Sequence, residues 1–176
     1  MPNYTLLEFE ELNSTSDFLK ENHSYFPHMT IIRADHQLKG RGQFDRMWQS
    51  DAKQNFLFSI MLKNVKTNQS HHLKHWVMLS IIRFFQMFGV TPEFKEPNDL
   101  YVEDNKIAGI LIESLSTEEV FDVVVIGIGI NINQTLFQSF KATSLKELTQ
   151  KTYDVSHEFQ KLVKLLITSY DEYLNP

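Results

Sequence analysis

Apolar positions alternate with polar ones along several stretches of this chain, then recur every three or four residues along two longer ones. That change of period predicts strands near 4–10, 29–34, 55–62, 100–103, 106–113 and 120–126, and helices near 70–88 and 155–174. The run Asn55-Phe56-Leu57-Phe58-Ser59-Ile60-Met61-Leu62 is apolar on both alternating faces, as befits a strand in the middle of a sheet covered on both sides. In the first long helix Leu73, Trp76, Val77, Ile81, Phe84, Phe85 and Phe88 share one face, and Gly89 ends it. Phe159, Leu162, Val163, Leu166 and Tyr170 form the buried face of the second. Asn13-Ser14-Thr15-Ser16-Asp17 offers N-cap residues to a short helix containing Phe18 and Leu19, and Thr143-Ser144 opens another. Asp104-Asn105 reads as a tight hairpin turn, so Lys106 begins the return strand. Strict alternation then puts Lys106, Ala108, Ile110 and Ile112 on one face and Ile107, Gly109, Leu111 and Glu113 on the other. This order of elements argues an α+β domain with a mixed β-sheet and helices mainly on one face.

The 176 residues suffice for one ordinary domain, and none is cysteine. Disulfides, thiolate catalysis and cysteine zinc sites are thereby excluded, and a reducing, cytoplasmic location is expected. Met1-Pro2-Asn3-Tyr4 lacks the basic stretch and apolar core of a secretory signal, and the apolar runs are too short to span a bilayer, so no membrane partner is expected. With 17 Lys and Arg against 22 Asp and Glu the net charge is −5, which disfavours general nucleic-acid binding.

Several polar residues sit where strands end. Gly40-Arg41-Gly42 combines backbone freedom with a forked cation, and Trp48 follows nearby; the pattern suits a phosphate or carboxylate but is neither a Walker loop nor a dinucleotide fingerprint. Ser14 and Thr15 serve as caps or as ligand donors. Asn98-Asp99 is turn-prone, Lys106 opens an apolar strand, and Gly109, Gly127 and Gly129 strip side chains from strands in a way that suits a flat ligand. His71 and His75 stand one helical turn apart, yet a third metal ligand is not evident and surface histidines explain them better. A cationic, amide-bearing site of this kind fits activation of a carboxylate by a nucleotide, in which Lys, Arg and Mg²⁺ offset charge developing at phosphorus.

At these residues the chain resembles the catalytic domain of biotin protein ligases, in the biotin/lipoyl ligase superfamily. The resemblance rests on Asn13-Ser14-Thr15, Gln37 with Gly40-Arg41-Gly42 through Trp48, Lys95-Glu96-Pro97-Asn98-Asp99-Leu100, Lys106-Ile107-Ala108-Gly109-Ile110-Leu111, and Gly127-Ile128-Gly129-Ile130-Asn131. It implies a fold like that of class II aminoacyl-tRNA synthetases, and a two-step reaction in which biotin and MgATP form biotinyl-5′-adenylate before transfer to a lysine of a biotin carboxyl carrier domain. By that likeness Ser14, Thr15, Gln37, Gly40, Gly109, Gly127 and Gly129 shape the biotin pocket. Arg41 and Lys106 contact the biotin carboxylate and α-phosphate, with Lys106 the main electrostatic catalyst and Asp99 orienting or deprotonating the acceptor lysine. Gly42, Arg46, Trp48, Asn98 and Asn131 lie near the nucleotide, Asn131 also near its magnesium.

Two positions depart from the pattern: Gln43 stands where the family has a further arginine, for which Arg46 compensates in part, and Glu96 replaces a tryptophan. Residues 1–176 are expected to be one catalytic domain without the DNA-binding winged helix or the small C-terminal β domain of longer members. A homodimer could form by edge-strand pairing. The alternatives are a homologue that binds biotin or its adenylate without efficient transfer, and a lipoate or octanoate ligase.

Overall fold

The computed structural model describes residues 2–43, 47–116, 120–138 and 141–174. Along them run β1 (Thr5–Leu12), α1 (Thr15–Asn22), β2 (Thr30–Gln37), β3 (Phe56–Lys66), α2 (Ser70–Gln86), β4 (Glu93–Lys95), β5 (Asp99–Val102), β6 (Asn105–Ser116), β7 (Val120–Ile130), α3 (Leu145–Thr149) and α4 (Val155–Leu174). The strands form one seven-stranded sheet in the order β1-β2-β3-β7-β6-β5-β4. β1 and β2 are parallel and every other neighbouring pair is antiparallel, so the sheet is mixed, as expected. Strand β4 is new relative to the sequence reading, because three residues carry too little periodicity to register. Among the described residues no helix is long and apolar enough to cross a membrane.

Helices α2 and α4 cover one face. Phe56, Phe58, Ile60 and Leu62 of β3 and Val124, Ile126, Ile128 and Ile130 of β7 join their apolar stripes in the main core. Trp76 stitches the two helices together by donating its indole N–H to the Leu166 carbonyl at 2.9 Å, and the buried Ser80 and Ser169 hydroxyls meet at 3.0 Å. On the other face α1 is short, and Leu19 seals only a small cluster with Ile32, Met61, Val123 and Val125. Beyond the end of that cluster no helix among the described residues covers the sheet, and this is where polar residues gather.

The hairpin leading into β6 differs from the expected one in two ways. Val102 pairs with Asn105, so the turn is Glu103-Asp104, one residue earlier than Asp104-Asn105, and Glu103 takes the left-handed conformation at φ 54°. The ladder also slips: Leu100 pairs with Ala108 but Tyr101 pairs with Lys106, leaving Ile107 extra. A bulge of this kind resets the alternation of side chains. Ile107 and Ala108 both enter the main core, and Lys106 turns to the face of Gly109 instead of sharing that of Ala108, as strict alternation had required.

Candidate active site

The uncovered half of the sheet holds a cavity of about 600 Å³. Its walls include Ser14, Thr15, Gln37, Arg41, Gly42, Trp48, Asp99, Lys106, Gly109, Gly127 and Gly129, all singled out in the sequence. Gly40, Asn98 and Asn131 stand behind the wall. Gly40 accepts the Trp48 N–H at 2.9 Å, and the Asn98 carbonyl accepts the N–H of Ile110 at 2.9 Å. Asn131 is buried and donates its amide to the carbonyls of Thr143 at 3.0 Å and Lys106 at 3.4 Å. Arg46 lies outside the described residues.

One end of the cavity is a nest of hydroxyls and one amide at the start of α1. Ser14 caps the helix, its Oγ accepting from the Asp17 N–H at 3.2 Å. The Thr15 N–H, which can only donate, reaches Gln37 Oε1 at 2.8 Å, and this fixes which way the Gln37 amide points. The Thr15 hydroxyl donates to the same oxygen at 3.0 Å. Its single proton is then spent, so the Ser59 hydroxyl donates to Thr15 Oγ1 at 2.8 Å, and Ser16 donates to Ser59 at 2.8 Å. The relay runs Ser16 to Ser59 to Thr15 to Gln37, leaving acceptor lone pairs on Ser16 and the donor NH₂ of Gln37 for a ligand. Gly127 is required beneath it, since a Cβ there would come within 2.5 Å of Ser16 Oγ. Ser16 and Ser59 were missed in the sequence. The available signal was Ser59 as the lone polar side chain inside an apolar strand.

Beside this nest Arg41 is held by two carboxylates. Its guanidinium meets Asp17 of α1 at 2.7 Å and Glu113 of β6 at 3.0 Å, while Lys20 bridges the same two acids at 2.9 and 3.1 Å. Partial burial pushes the Asp17 carboxyl upward, but hydrogen bonds from Lys20 and Arg41 and their charges outweigh it and hold the pKa below the ordinary aspartate value. For Arg41 burial acts downward and the two acids more than reverse it.

Lys106 occupies the other end. Its ammonium lies 2.8 Å from Asp99 and 5.3 Å from the Trp48 ring centre. Glu113 lies four strand residues beyond Gly109, or about 13 Å, so Arg41 and Lys106 do not meet in this structure. Next to Lys106 the Trp48 indole rests on the glycine floor: a Cβ at Gly109 would lie 3.0 Å from the ring, and one at Gly129 would overlap it. The cleared face therefore receives the protein's own aromatic ring. Its N–H is buried without an acceptor among the described residues.

The residues that depart from the expected pattern separate clearly. Gln43 lines the cavity. Glu96 does not: its side chain is 77% exposed and pairs with Lys74 at 3.4 Å, so its charge sits in water. Among the described residues there is no group of three His, Asp or Glu side chains able to hold a metal, and the His71 ring stacks near that of His72.

Residues 8–131 match the model of the biotin/lipoate A/B protein ligase family. The chain belongs to that family. Among curated members it is 28% identical over 155 residues to the bifunctional ligase/repressor BirA of Bacillus spizizenii, covering 84% of this chain and 48% of that protein. It is 30% identical over 129 residues to biotin–protein ligase 1, chloroplastic, of Arabidopsis thaliana, covering 69% and 35%. The chain thus spans half or less of the length of these family members. Among solved structures, the Aquifex aeolicus biotin protein ligase in complex with biotin and ATP superposes with a TM-score of 0.83 at 29% identity, covering 97% of this chain and 72% of that one. The expected mixed-sheet ligase fold is borne out by this match.

Proposed function

We propose that the chain joins biotin to a lysine of a biotin carboxyl carrier domain, using ATP and passing through biotinyl-5′-adenylate. The observation that carries this reading is the polarity of the cavity. Gly127 pairs with Leu111 and Gly129 with Gly109, so the uncharged nest and Lys106 are offset by about 7 Å along the sheet. Trp48, over Gly109 and Gly129, supplies apolar surface beside Lys106. A ligand with an uncharged hydrogen-bonding head, an aliphatic middle and a carboxylate end fits that sequence of surfaces, and biotin is such a ligand. The Gln37 NH₂ would donate to the ureido oxygen and Ser16 would accept from a ureido N–H.

A biotin carboxylate oxygen would attack the α-phosphorus of ATP and pyrophosphate would leave, with the Lys106 ammonium offsetting charge on both anions. Magnesium would arrive with the triphosphate, since this ion takes most of its ligands from phosphate and water. Asn131 donates its amide nitrogen to backbone carbonyls and would hold the 141–143 segment against Lys106, leaving only its Oδ1 as the atom that would serve magnesium. The nucleotide would lie at the Lys106 end beside Tyr101, Asp104 and Lys141, with Gly42 at the wall and Asn98 behind it. In the second step the acceptor amine attacks the acyl carbon, AMP leaves, and Asp99 exchanges Lys106 for the incoming lysine, orienting it and accepting its proton. A lipoyl ring offers the nest no hydrogen-bonding partner and would leave the Gln37 amide unsatisfied, which argues against lipoate.

The test is incubation with MgATP, labelled biotin and an apo carrier domain, following adenylate and labelled carrier separately. Both products are expected. Adenylate alone would favour a binding homologue weakened at Gln43; neither product from folded protein, or carrier labelling by lipoate in place of biotin, would sink the proposal. Lys106→Ala should slow adenylate formation by about 100- to 1,000-fold with little change in the urea midpoint. We place the reaction in the cytoplasm and, if the protein self-associates, assign the contact to β1, the longer of the two edge strands.

A further inference from the structure

We propose that Asp17 and Glu113 are positioning residues for Trp48, acting through Arg41. The backbone around Arg41 is the neck of the loop: Arg41 and Met47 form an antiparallel bridge, and Trp48 donates to Gly40 at 2.9 Å. A side chain fastened at Arg41 therefore fixes the backbone that carries Trp48. The fastening comes from two elements at once, Asp17 on α1 and Glu113 on β6, and the bidentate guanidinium contact gives it direction as well as strength. Lys20 joins the same acids and, counted with Arg41, brings the four-charge cluster to zero net charge. With both acids satisfied, that end of the cavity presents no net charge to a ligand, in keeping with the neutral nest beside it.

The seat so defined is tight. Trp48 fills the space left by Gly109 and Gly129, and its N–H is buried without a partner among the described residues. Burial of the ring favours this seat and the unpaired N–H opposes it, so the balance is close enough for the attachment of the backbone to decide it. Beside the ring's own contacts with the glycine floor and Lys106, the Arg41 clamp is the attachment that the described neck of the loop provides. Arg41 thus serves the site by holding Trp48 in place. Contact with the substrate carboxylate falls to Lys106.

The first arm of the test needs no ligand, so it stands or fails apart from the ligase reading on which the second arm rests. In a Trp76→Phe background Trp48 is the sole tryptophan, since the chain has two. Adding Asp17→Asn and Glu113→Gln should shift its emission to the red and raise acrylamide quenching severalfold, while Asp17→Glu should largely restore the parent values. Equal quenching in parent and double variant, with melting temperatures matched, would overturn the proposal. In the second arm the double variant, with Trp76 intact, should raise the KM for biotin about tenfold and leave kcat near that of the parent. If Arg41 instead served as a direct anion contact restrained by the two acids, freeing it would lower the KM for biotin, and that result would also overturn the proposal.

Discussion

Strand β7 meets α2 and α4 with Val124, Ile126, Ile128 and Ile130, and meets the cavity with Gly127 and Gly129 after Val123 and Val125. On the first face each position carries a branched side chain that interdigitates with helix residues. On the second the side chains vanish where the cavity begins, and the vacated volume goes to Ser16 and to the Trp48 ring. The same backbone therefore stabilises the fold on one side and makes room for chemistry on the other. Substitutions on the two faces should be read out by different measurements.

The largest effects should fall on opposite observables. Ile126→Ala leaves a cavity in the main core and should cost about 2–5 kcal/mol by urea unfolding, with adenylate formation per folded molecule close to normal. Gly129→Val should move the unfolding midpoint much less. It puts a side chain into the cavity as well as into the Trp48 ring, so adenylate formation at subsaturating biotin should drop about 100-fold, more than release of the ring alone would cause. If Gly129→Val instead behaved like Ile126→Ala in both measurements, the division between the faces would be wrong.

A smaller effect sharpens the cavity side. Ser59→Ala breaks the relay in its middle and should raise the KM for biotin about tenfold, within the cost of a lost buried hydrogen bond, leaving kcat and the KM for ATP near the parent values. The smallest effect concerns Asp17. Its folded pKa lies below the 3.8 of an unperturbed aspartate. Its ion pairs therefore contribute stability that is fully present above that value and is lost as pH falls through the lower folded pKa. Asp17→Asn should show a constant, modest deficit against the parent above pH 5, and the deficit should close in acid; a deficit that grew in acid would contradict the sign. The group is partly exposed, which keeps the contribution small.

Most of the fold could be read along the chain. The two long helices, the doubly apolar β3 and the apolar β7 announce themselves through period and composition, because burial on a known face imposes a pattern that residues near in sequence must share. The candidate site was legible in its inventory: Arg41, Gly42, Trp48, Asp99, Lys106 and the alternating glycines all line one cavity. Its wiring was not. Glu96, one of the two departures from the family pattern, sits in solvent beside Lys74. Ser59, apparently a polar lapse in a core strand, is the centre of the nest.

By itself the sequence determined which of the longer segments are strands and helices, which faces of the long helices and of β3 are apolar, and that cations, amides and cleared backbone occur at strand ends. Those properties follow from local periodicity and residue chemistry. Only the tertiary structure decided that Lys106 faces the cavity, because a one-residue bulge at Ile107 reverses the alternation and short-range pattern has no record of it. It also decided that Arg41 spends its charge on Asp17 and Glu113, residues 24 and 72 positions away, and that the space cleared by Gly109 and Gly129 belongs to Trp48. Ion pairing and steric fit depend on distance in space, and the chain sets that distance only once the sheet has closed on α1.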